Sequence, residues 1–495
     1  MPETLKRLRA GLEEGQRRAD SSGREQIAAL RLALDVPDAG VDLLAVFDGF
    51  EGSERFFWEH PSKSHSMVAL GAVRTIEVAG PDRFAEADRQ ARALFRELLV
   101  GGDRAVSAAG PLLVGGFTFA DASRSSSEWR SFPTSRLVLP ELLLVRRAGR
   151  TWCTLCRTLS PGGDIEAEWA ALADGFERAL SPRVRDPVGD LHDVAGAGAS
   201  SWSLDAGGAS PGPEYCVRAD RSHADYRAQV RAAIDAIAVG ELEKVVLARS
   251  LRVRYDGRFA LGRFLDSLRH IYPSCVSFAL SRDGDSFVGA TPESLVKLRG
   301  DRVAACALAG SAPRGRSPEE DETLGRRLCE SKKDQAEHAV VVRAIRGALA
   351  PFCDELEAAE APSLMRVEGI AHLRTLIAGR LRAASDESPS LLALAAALHP
   401  TPAVGGAPRS RALAWIERCE GMERGWYAGP VGYLDADGGG ELRVALRSGL
   451  ILGGAEGDRA HLFAGAGIVA DSDPEAELRE TRLKLRALLA PLTEI

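Results

Sequence analysis

Apolar and polar positions divide the chain into three stretches. Residues 1–35 are dominated by polar and charged side chains at helical spacing, which predicts an exposed helical extension over about 1–40. From about 41 to 180, short apolar runs of strand length take over: VDLLAVF, RFFWEH, MVALGAV, PLLVGGFTF, RLVLPELLLVRR and TWCTLCR. Helical spacing interrupts them at about 82–100 and 165–180. Residues 183–215 are poor in large apolar side chains and rich in Gly, Ala, Ser, Asp and Pro, the composition of a linker or long surface loop. The pattern therefore separates an N-terminal half, 1–215, from a second region, 216–495.

The second region opens with an amphipathic helix over 223–239 and then mixes strands with helices. Its strands include KVVLARSLRV, SCVSFALS, SFVGA, SLVKLRG, YAGPVGYLD, ELRVALRSGLIL and HLFAGAGIV. Its helices fall at roughly 318–350, 388–398, 408–420 and 474–490. Successive strands come in hairpin-like pairs. The expected class is therefore α+β with antiparallel sheets rather than a doubly wound parallel sheet.

Composition narrows the partners. The chain has 495 residues, 45% apolar and 27% charged, with a net charge of −7, as a globular protein of one large or two to three ordinary domains would have. No block of Lys and Arg stands out, so neither nucleic acid nor an anionic membrane is an expected partner. The start of the chain lacks an apolar signal core, and no apolar run of about 18 residues occurs. A cytoplasmic protein is expected. Eight cysteines are scattered along the chain. Cys153 and Cys156 form a CxxC, but inside a strand-like run and without a second pair at zinc spacing, which favours ordinary core thiols in a reducing compartment.

Charge type is more informative than charge number. Of 63 Lys and Arg residues only seven are lysine, and one of them, Lys244, lies in the strand-like run EKVVLAR. Arginine keeps its proton at ordinary pH, whereas a desolvated lysine can act as a general base. Period-two alternation places Lys244, Val246 and Ala248 on one face. The alternative is an edge lysine that keeps a strand soluble.

Two acidic helix faces follow. Val340, Val341, Ala344, Ile345, Ala348 and Leu349 continue a stripe that begins at Glu337, with Asp334 one turn earlier. A carboxylate on a buried stripe requires a counter-ion or a metal; the alternatives are a buried ion pair or a stripe that has already surfaced at Glu337. Near the C-terminus Asp473 and Pro474 predict a helix start, after which Glu477, Glu480 and Lys484 share a face. Acids in a first turn also complement the helix dipole, and Glu480 is spaced to pair with Lys484. If the two faces converged they would suit a hard divalent cation such as Mg²⁺. Thr291-Pro292-Glu293 is either a helix cap or a strand end presenting a carboxyl group as a general acid. Gly465-Ala466-Gly467 fits a dinucleotide fingerprint in letters only, because a strand continues where the helix should open. Its backbone N–H groups and the Arg447 side chain are candidate carboxylate binders, the alternative for Arg447 being a surface strand arginine.

In chain order, KVVLAR, GATPES, ALAGSAPRG, SKKDQAEH, AHLRT, HPTPAVGG, YAGPVGY, ALRSG, AGAGIV and DPEAELRET resemble the chorismate-utilising enzymes. That family includes isochorismate, salicylate, anthranilate and aminodeoxychorismate synthases. The resemblance covers 222–495, with weaker echoes (FFWEHP, VGGFTF and WRSFPTSRLVLPELLL) in 45–150. It implies an α+β fold of two stacked, largely antiparallel sheets flanked by helices, to which both halves of the chain contribute. On that basis 183–215 would be a loop within one sandwich.

The resemblance also implies roles. Lys244 matches the base that activates water for attack at C2 of chorismate, and Glu293 matches the acid that protonates the departing C4 hydroxyl. Glu337 and Glu480 match direct Mg²⁺ ligands, with Asp334 and Glu477 nearby or acting through water. Tyr427, Arg447, Gly465, Gly467 and Lys484 match binders of the substrate carboxylates. His372 and Thr375 match the pocket wall beside the ring. Amine-transferring members generally carry glutamine at the position of Lys244, and Ala309 stands where some members carry a nucleophilic lysine. The implied activity is Mg²⁺-dependent isochorismate synthesis, for menaquinone or for siderophore and salicylate production, with no glutamine amidotransferase subunit. The alternatives are a salicylate synthase, which also eliminates pyruvate, and a catalytically inactive chorismate-binding regulator.

Overall fold

Trp58, on the strand Arg55–His60, meets Tyr433 of the strand Pro430–Asp435 edge-on at 5.9 Å. The two rings belong to different sheets, and their contact marks the layer between them. The structure, a computed structural model, describes residues 2–34, 41–103, 108–121, 127–147, 149–181, 215–382 and 388–493. The expected linker at 183–215 lies outside the described residues except for Tyr215, which opens the strand Tyr215–Ala219.

Among the described residues one sheet has thirteen strands and the other ten. Both cross from one half of the sequence to the other. In the larger sheet Val276–Arg282 pairs with Arg55–His60, and in the smaller Pro430–Asp435 pairs with Leu112–Phe117. The pairings are antiparallel except for Gln26–Leu34 beside Leu98–Gly102. The expected two-layer α+β architecture is the one observed. Phe56, Trp58, Met67 and Ala69 point into the layer between the sheets. Phe57 and Val68, one residue out of phase, point to the opposite face, under the helices Pro2–Ser22, Ile165–Leu180, Leu261–Ile271 and Pro474–Thr493. Apolar side chains on both faces explain why Phe56-Phe57-Trp58 is a continuous apolar run rather than an alternating one.

Local expectations differ from the structure at identifiable places. The expected helix over 1–35 ends at Ser22, and Gln26–Leu34 is a strand held between two others. Nor is that first helix fully exposed, since Leu8, Leu12 and Ala19 are buried. The run VDLLAVF is the helix Leu43–Asp48, because the Asp42 carboxylate accepts the Leu44 N–H at 3.0 Å and caps it. The helix expected over 82–100 stops at Glu97. The helix expected over 318–350 is two, Pro318–Glu330 and Lys332–Leu349, divided at Ser331, whose hydroxyl caps the second by accepting Asp334 N–H at 3.2 Å. Arg302–Pro313 and Ile370–Leu381 are paired strands with no strand-like signature, since alanine and arginine occupy many of their positions.

Cys153 and Cys156 are buried free thiols in one strand, and burial pushes Cys156 up to about 12. No helix among the described residues is long and apolar enough to cross a membrane.

Candidate active site

The chain crosses between the sheets at two neighbouring corners. Thr291-Pro292-Glu293 joins Asp285–Thr291 of the larger sheet to Ser294–Arg299 of the smaller. Ala445-Leu446-Arg447 joins Gly440–Val444 of the smaller back to Ser448–Leu452 of the larger. Backbone hydrogen bonds lock the corners together, from Val444 N–H to Glu293 O and from Ala290 N–H to Arg447 O, both at 3.1 Å. The Thr291 hydroxyl donates to Val444 O at 2.5 Å and accepts the Glu293 N–H at 3.2 Å. Arg447 sits at φ 47°, a left-handed conformation that is strained for a bulky residue. The TPE motif is thus a strand end and not a helix cap.

These corners form one wall of a cleft that is partly open to solvent, and concave sites of this kind are where small molecules bind. Glu293, His372, Tyr427, Arg447, Gly465 and Lys484 border it, as do Glu337 and Glu480. Glu293 is only 3% exposed. Burial pushes its carboxyl up to about 8, against the opposing pull of Lys244 and Lys484. It therefore carries a proton at neutral pH, in the form a general acid needs.

Lys244 begins the strand Lys244–Tyr255 and is 1% exposed. Its amine lies 2.8 Å from Glu337 Oε1. Along the neighbouring strand Asp458–Ile468, Gly467 stands opposite Val246 and Gly465 opposite Ala248, on the same face as Lys244. A Cβ on Gly467 would lie 2.5 Å from Glu337 Oε1 and 3.0 Å from Lys244 Cε. Any larger residue there would push the Glu337 and Lys244 side-chain ends from their places, although the backbone itself is ordinary strand. A Cβ on Gly465 would lie 3.1 Å from the Tyr427 hydroxyl. Tyr427 stacks on Phe463 at 5.1 Å, and its buried phenol is pushed up, so it stays a neutral donor.

His372 links the Arg447 corner to the smaller sheet. Arg447 Nη2 lies 3.2 Å from His372 Nε2, and His372 Nδ1 lies 3.0 Å from Ser311 Oγ. Burial and the Arg447 charge hold the ring well below its usual range. The neutral tautomer that fits accepts from Arg447 at Nε2 and donates to Ser311 from Nδ1.

The two acidic helix faces converge. Lys333 of Lys332–Leu349 bridges to Glu477 of Pro474–Thr493 at 3.1 Å. Asp473 Oδ1 accepts the Ala476 N–H at 2.8 Å and caps the second helix as expected. Lys484 donates to Glu480 at 2.7 Å and to Gly465 O at 2.9 Å. Burial, then the neighbouring Glu480, pushes Glu477 up. Ser331 caps Asp334 at the start of the first helix. Among the described residues no three His, Cys, Asp or Glu side chains form a ready metal cluster. The donor set fits Mg²⁺ nonetheless. Glu337 and Glu480 border the cleft with hard carboxylate oxygens, and Mg²⁺ commonly takes one or two carboxylates and fills its shell with water and substrate oxygens. The crowding felt by Glu477 is also the kind a cation relieves.

Lys244, Asp334, Glu477 and Thr375 are not among the residues bordering the cleft. Thr375, expected on the pocket wall, instead pairs its hydroxyl with His338 Nε2 at 2.8 Å. Its strand turns alternate residues away from the cleft, which sequence order does not disclose. Ser311 borders the cleft without having been assigned a part, and so does Arg424. Arg424 forms a buried ion pair with Glu420, spaced i, i+4 in the sequence but outside any helical stripe that would have signalled it.

Residues 15–493 match the model of a family described as chorismate binding enzyme. A salicylate biosynthesis isochorismate synthase of Pseudomonas aeruginosa is 36% identical over all of this chain and 96% of its own length. Isochorismate synthase MenF of Bacillus subtilis is 35% identical over 88% of each chain. The menaquinone-specific isochorismate synthase of Escherichia coli, at 24% identity, shares the fold with a TM-score of 0.72 over 98% of this chain and 99% of its own. The two-sheet sandwich, the converging acidic helices and these matches lead to one assignment: the chain belongs to the chorismate-binding enzyme family.

Proposed function

We propose that this protein is an isochorismate synthase, moving the hydroxyl of chorismate from C4 to C2 with Mg²⁺ as cofactor. The observation that carries the mechanism is Glu293, a buried carboxyl that keeps its proton to about pH 8 and is close enough to feel the charge of Lys244. A protonated acid and an amine in one site provide both proton transfers. Lys244, released from Glu337 and in its neutral form, takes a proton from the attacking water as the water oxygen bonds to C2. The double bonds shift, the C4–O bond breaks, and Glu293 protonates the departing hydroxyl, so one water enters and one leaves. Arg447, held by His372 and by its corner, offers a forked donor to a substrate carboxylate, and Lys484 with the Gly465–Gly467 backbone offers a second anion site. Glu337 and Glu480 would hold Mg²⁺. When bound, it supplies charge neutralisation for a substrate carboxylate.

Relatives named for salicylate biosynthesis and vibriobactin, and the menaquinone-specific enzyme of Escherichia coli, support an isochorismate product that feeds a menaquinone, salicylate or siderophore route. Chorismate incubated with the protein, with and without Mg²⁺ and ammonia, and resolved by chromatography, tests the proposal. A Mg²⁺-dependent isochorismate peak without anthranilate or pyruvate is expected. Salicylate with stoichiometric pyruvate would reassign the protein as a salicylate synthase. Binding without turnover would make it a regulator.

A further inference from the structure

The strand carrying Lys244 has an incomplete edge. On one side residues 245–255 pair with Asp458–Ile468. On the other, Gly406–Ala407 pairs with residues 244–245, and Tyr215–Ala219 pairs with residues 251–255. Between them no strand among the described residues pairs with it, and two side chains occupy the gap. Glu420 Oε2 accepts the Ala248 N–H at 2.9 Å, and Arg424 Nη2 donates to Val246 O at 2.8 Å. Arg424 and Glu420 grip each other with two bonds, Nε to Oε1 at 2.7 Å and Nη2 to Oε2 at 2.5 Å. Arg424 Nη1 also donates to Val404 O at 2.8 Å, in the loop that brings Ala403 and Val404 to the cleft.

Both side chains are almost wholly buried, at 3% and 1% exposed. A buried ion pair is poor evidence for stability, because desolvation offsets its attraction. This one instead satisfies backbone groups that a break in the sheet would orphan. Four of the five guanidinium N–H donors are committed to protein acceptors. Arg424 borders the cleft with its charge satisfied by Glu420 and its fork already used, so it is poorly disposed to grip a substrate carboxylate.

We infer that Glu420 and Arg424 are positioning residues, side chains that take the place of a strand partner at Val246 and Ala248 and fix the Lys244 strand and the 400–406 loop relative to each other. Resting on the isochorismate synthase reading, the inference is that this clamp sets the rate of the chemical step and not substrate affinity. Displacements of about 1 Å in an active site cost on the order of 10²-fold.

The test compares Arg424→Lys and Glu420→Gln with the wild type in the full-length protein. It uses steady-state kinetics with Mg²⁺ and hydrogen exchange of the Ala248 amide. Arg424→Lys should lower kcat by about 10–100-fold with KM within about threefold, and Ala248 exchange should accelerate at least about tenfold. Glu420→Gln keeps an oxygen for Ala248 and should retain more of that protection than Arg424→Lys. A rise in KM at unchanged kcat would make Arg424 a substrate binder and overturn the inference, as would unchanged kinetics or unchanged Ala248 exchange in a folded Arg424→Lys. A wild type without isochorismate synthesis would defeat the functional reading, and amide exchange would still test the clamp.

Discussion

Replacing Glu293 with glutamine separates its proton from its shape. Glutamine is nearly isosteric with a protonated glutamate, and Glu293 is buried and protonated to about pH 8. The fold should therefore survive, and only the ability to give a proton should be lost. Turnover should fall by about 10²–10⁴-fold, the usual worth of a general acid. Stability provides a second, independent magnitude. A carboxyl whose pKa is raised on folding stabilises the native state most below its unfolded value near 4.5, and this contribution is lost as pH rises towards about 8. From pH 6 to pH 8 the wild type should lose ~1.4 kcal/mol per pH unit relative to the variant, and above pH 8 the gap should level off. Glu293→Gln should therefore gain about 2–3 kcal/mol on the wild type between pH 6 and pH 9. Denaturant unfolding of both proteins at three pH values measures this directly. The wild-type rate should decline above about pH 8 as the acid ionises, a limb the variant's residual activity should lack. A turnover loss below tenfold, or a stability gap that does not widen with pH, would refute the assignment of Glu293 as a buried protonated donor.

Lys244→Gln should abolish isochorismate formation and lower the melting temperature in EDTA by leaving Glu337 without its cation, with partial recovery in Mg²⁺, as calorimetry would show. Unchanged product formation in the folded variant would remove Lys244 from the base role. Gly467→Ala should reduce kcat/KM by more than about tenfold, because the new methyl group intrudes on both Glu337 and Lys244, at a folding cost of about 1–3 kcal/mol. Wild-type kinetics for that variant would show that the Lys244–Glu337 contact is dispensable.

Much of the site was legible because its residues impose a local pattern. The stripe that follows Glu337 left it either buried or at the point where the stripe surfaces, and the structure buries it with Val341, Ile345 and Leu349, one to three turns on. Alternation put Lys244 and Val246 on one face, and Asp473 marked a helix start that the structure retains. What was hidden depends on contacts distant in sequence. Glu420 reaches Ala248, 172 residues away, and His338 reaches Thr375 from another element, so neither pairing produces a periodic signal. The corner at Glu293 was ambiguous because Thr-Pro-Glu suits a helix start as well as a strand end, and only the passage between the sheets decides. Gln26–Leu34 misled for the opposite reason. Alanine and leucine favour a helix, and the strand exists because sheet neighbours on both sides supply its hydrogen bonds.

The charge pairing of the site constrains how it fills. Lysines pair with the carboxylates of the site: Lys484 with Glu480, both at the cleft, Lys244, which does not itself border it, with Glu337, and Lys333 with Glu477. A dianionic substrate must compete with those carboxylates for the lysines, and bringing two more negative charges beside Glu337 and Glu480 is unfavourable in a partly desolvated cleft. The conflict disappears if the carboxylates take a divalent cation, because Lys244 and Lys484 are then free to face substrate. Metal and substrate should therefore bind with positive coupling, and linkage requires the effect to be reciprocal. Titration calorimetry with a non-reacting cyclic dicarboxylate should show at least about tenfold tighter binding with Mg²⁺ present, and an equal tightening of Mg²⁺ by the dicarboxylate. Glu480→Gln should remove most of the coupling. Independent binding of the two ligands in the wild type would mean that the lysine–carboxylate pairs persist in the working enzyme, and the metal would have to be placed elsewhere.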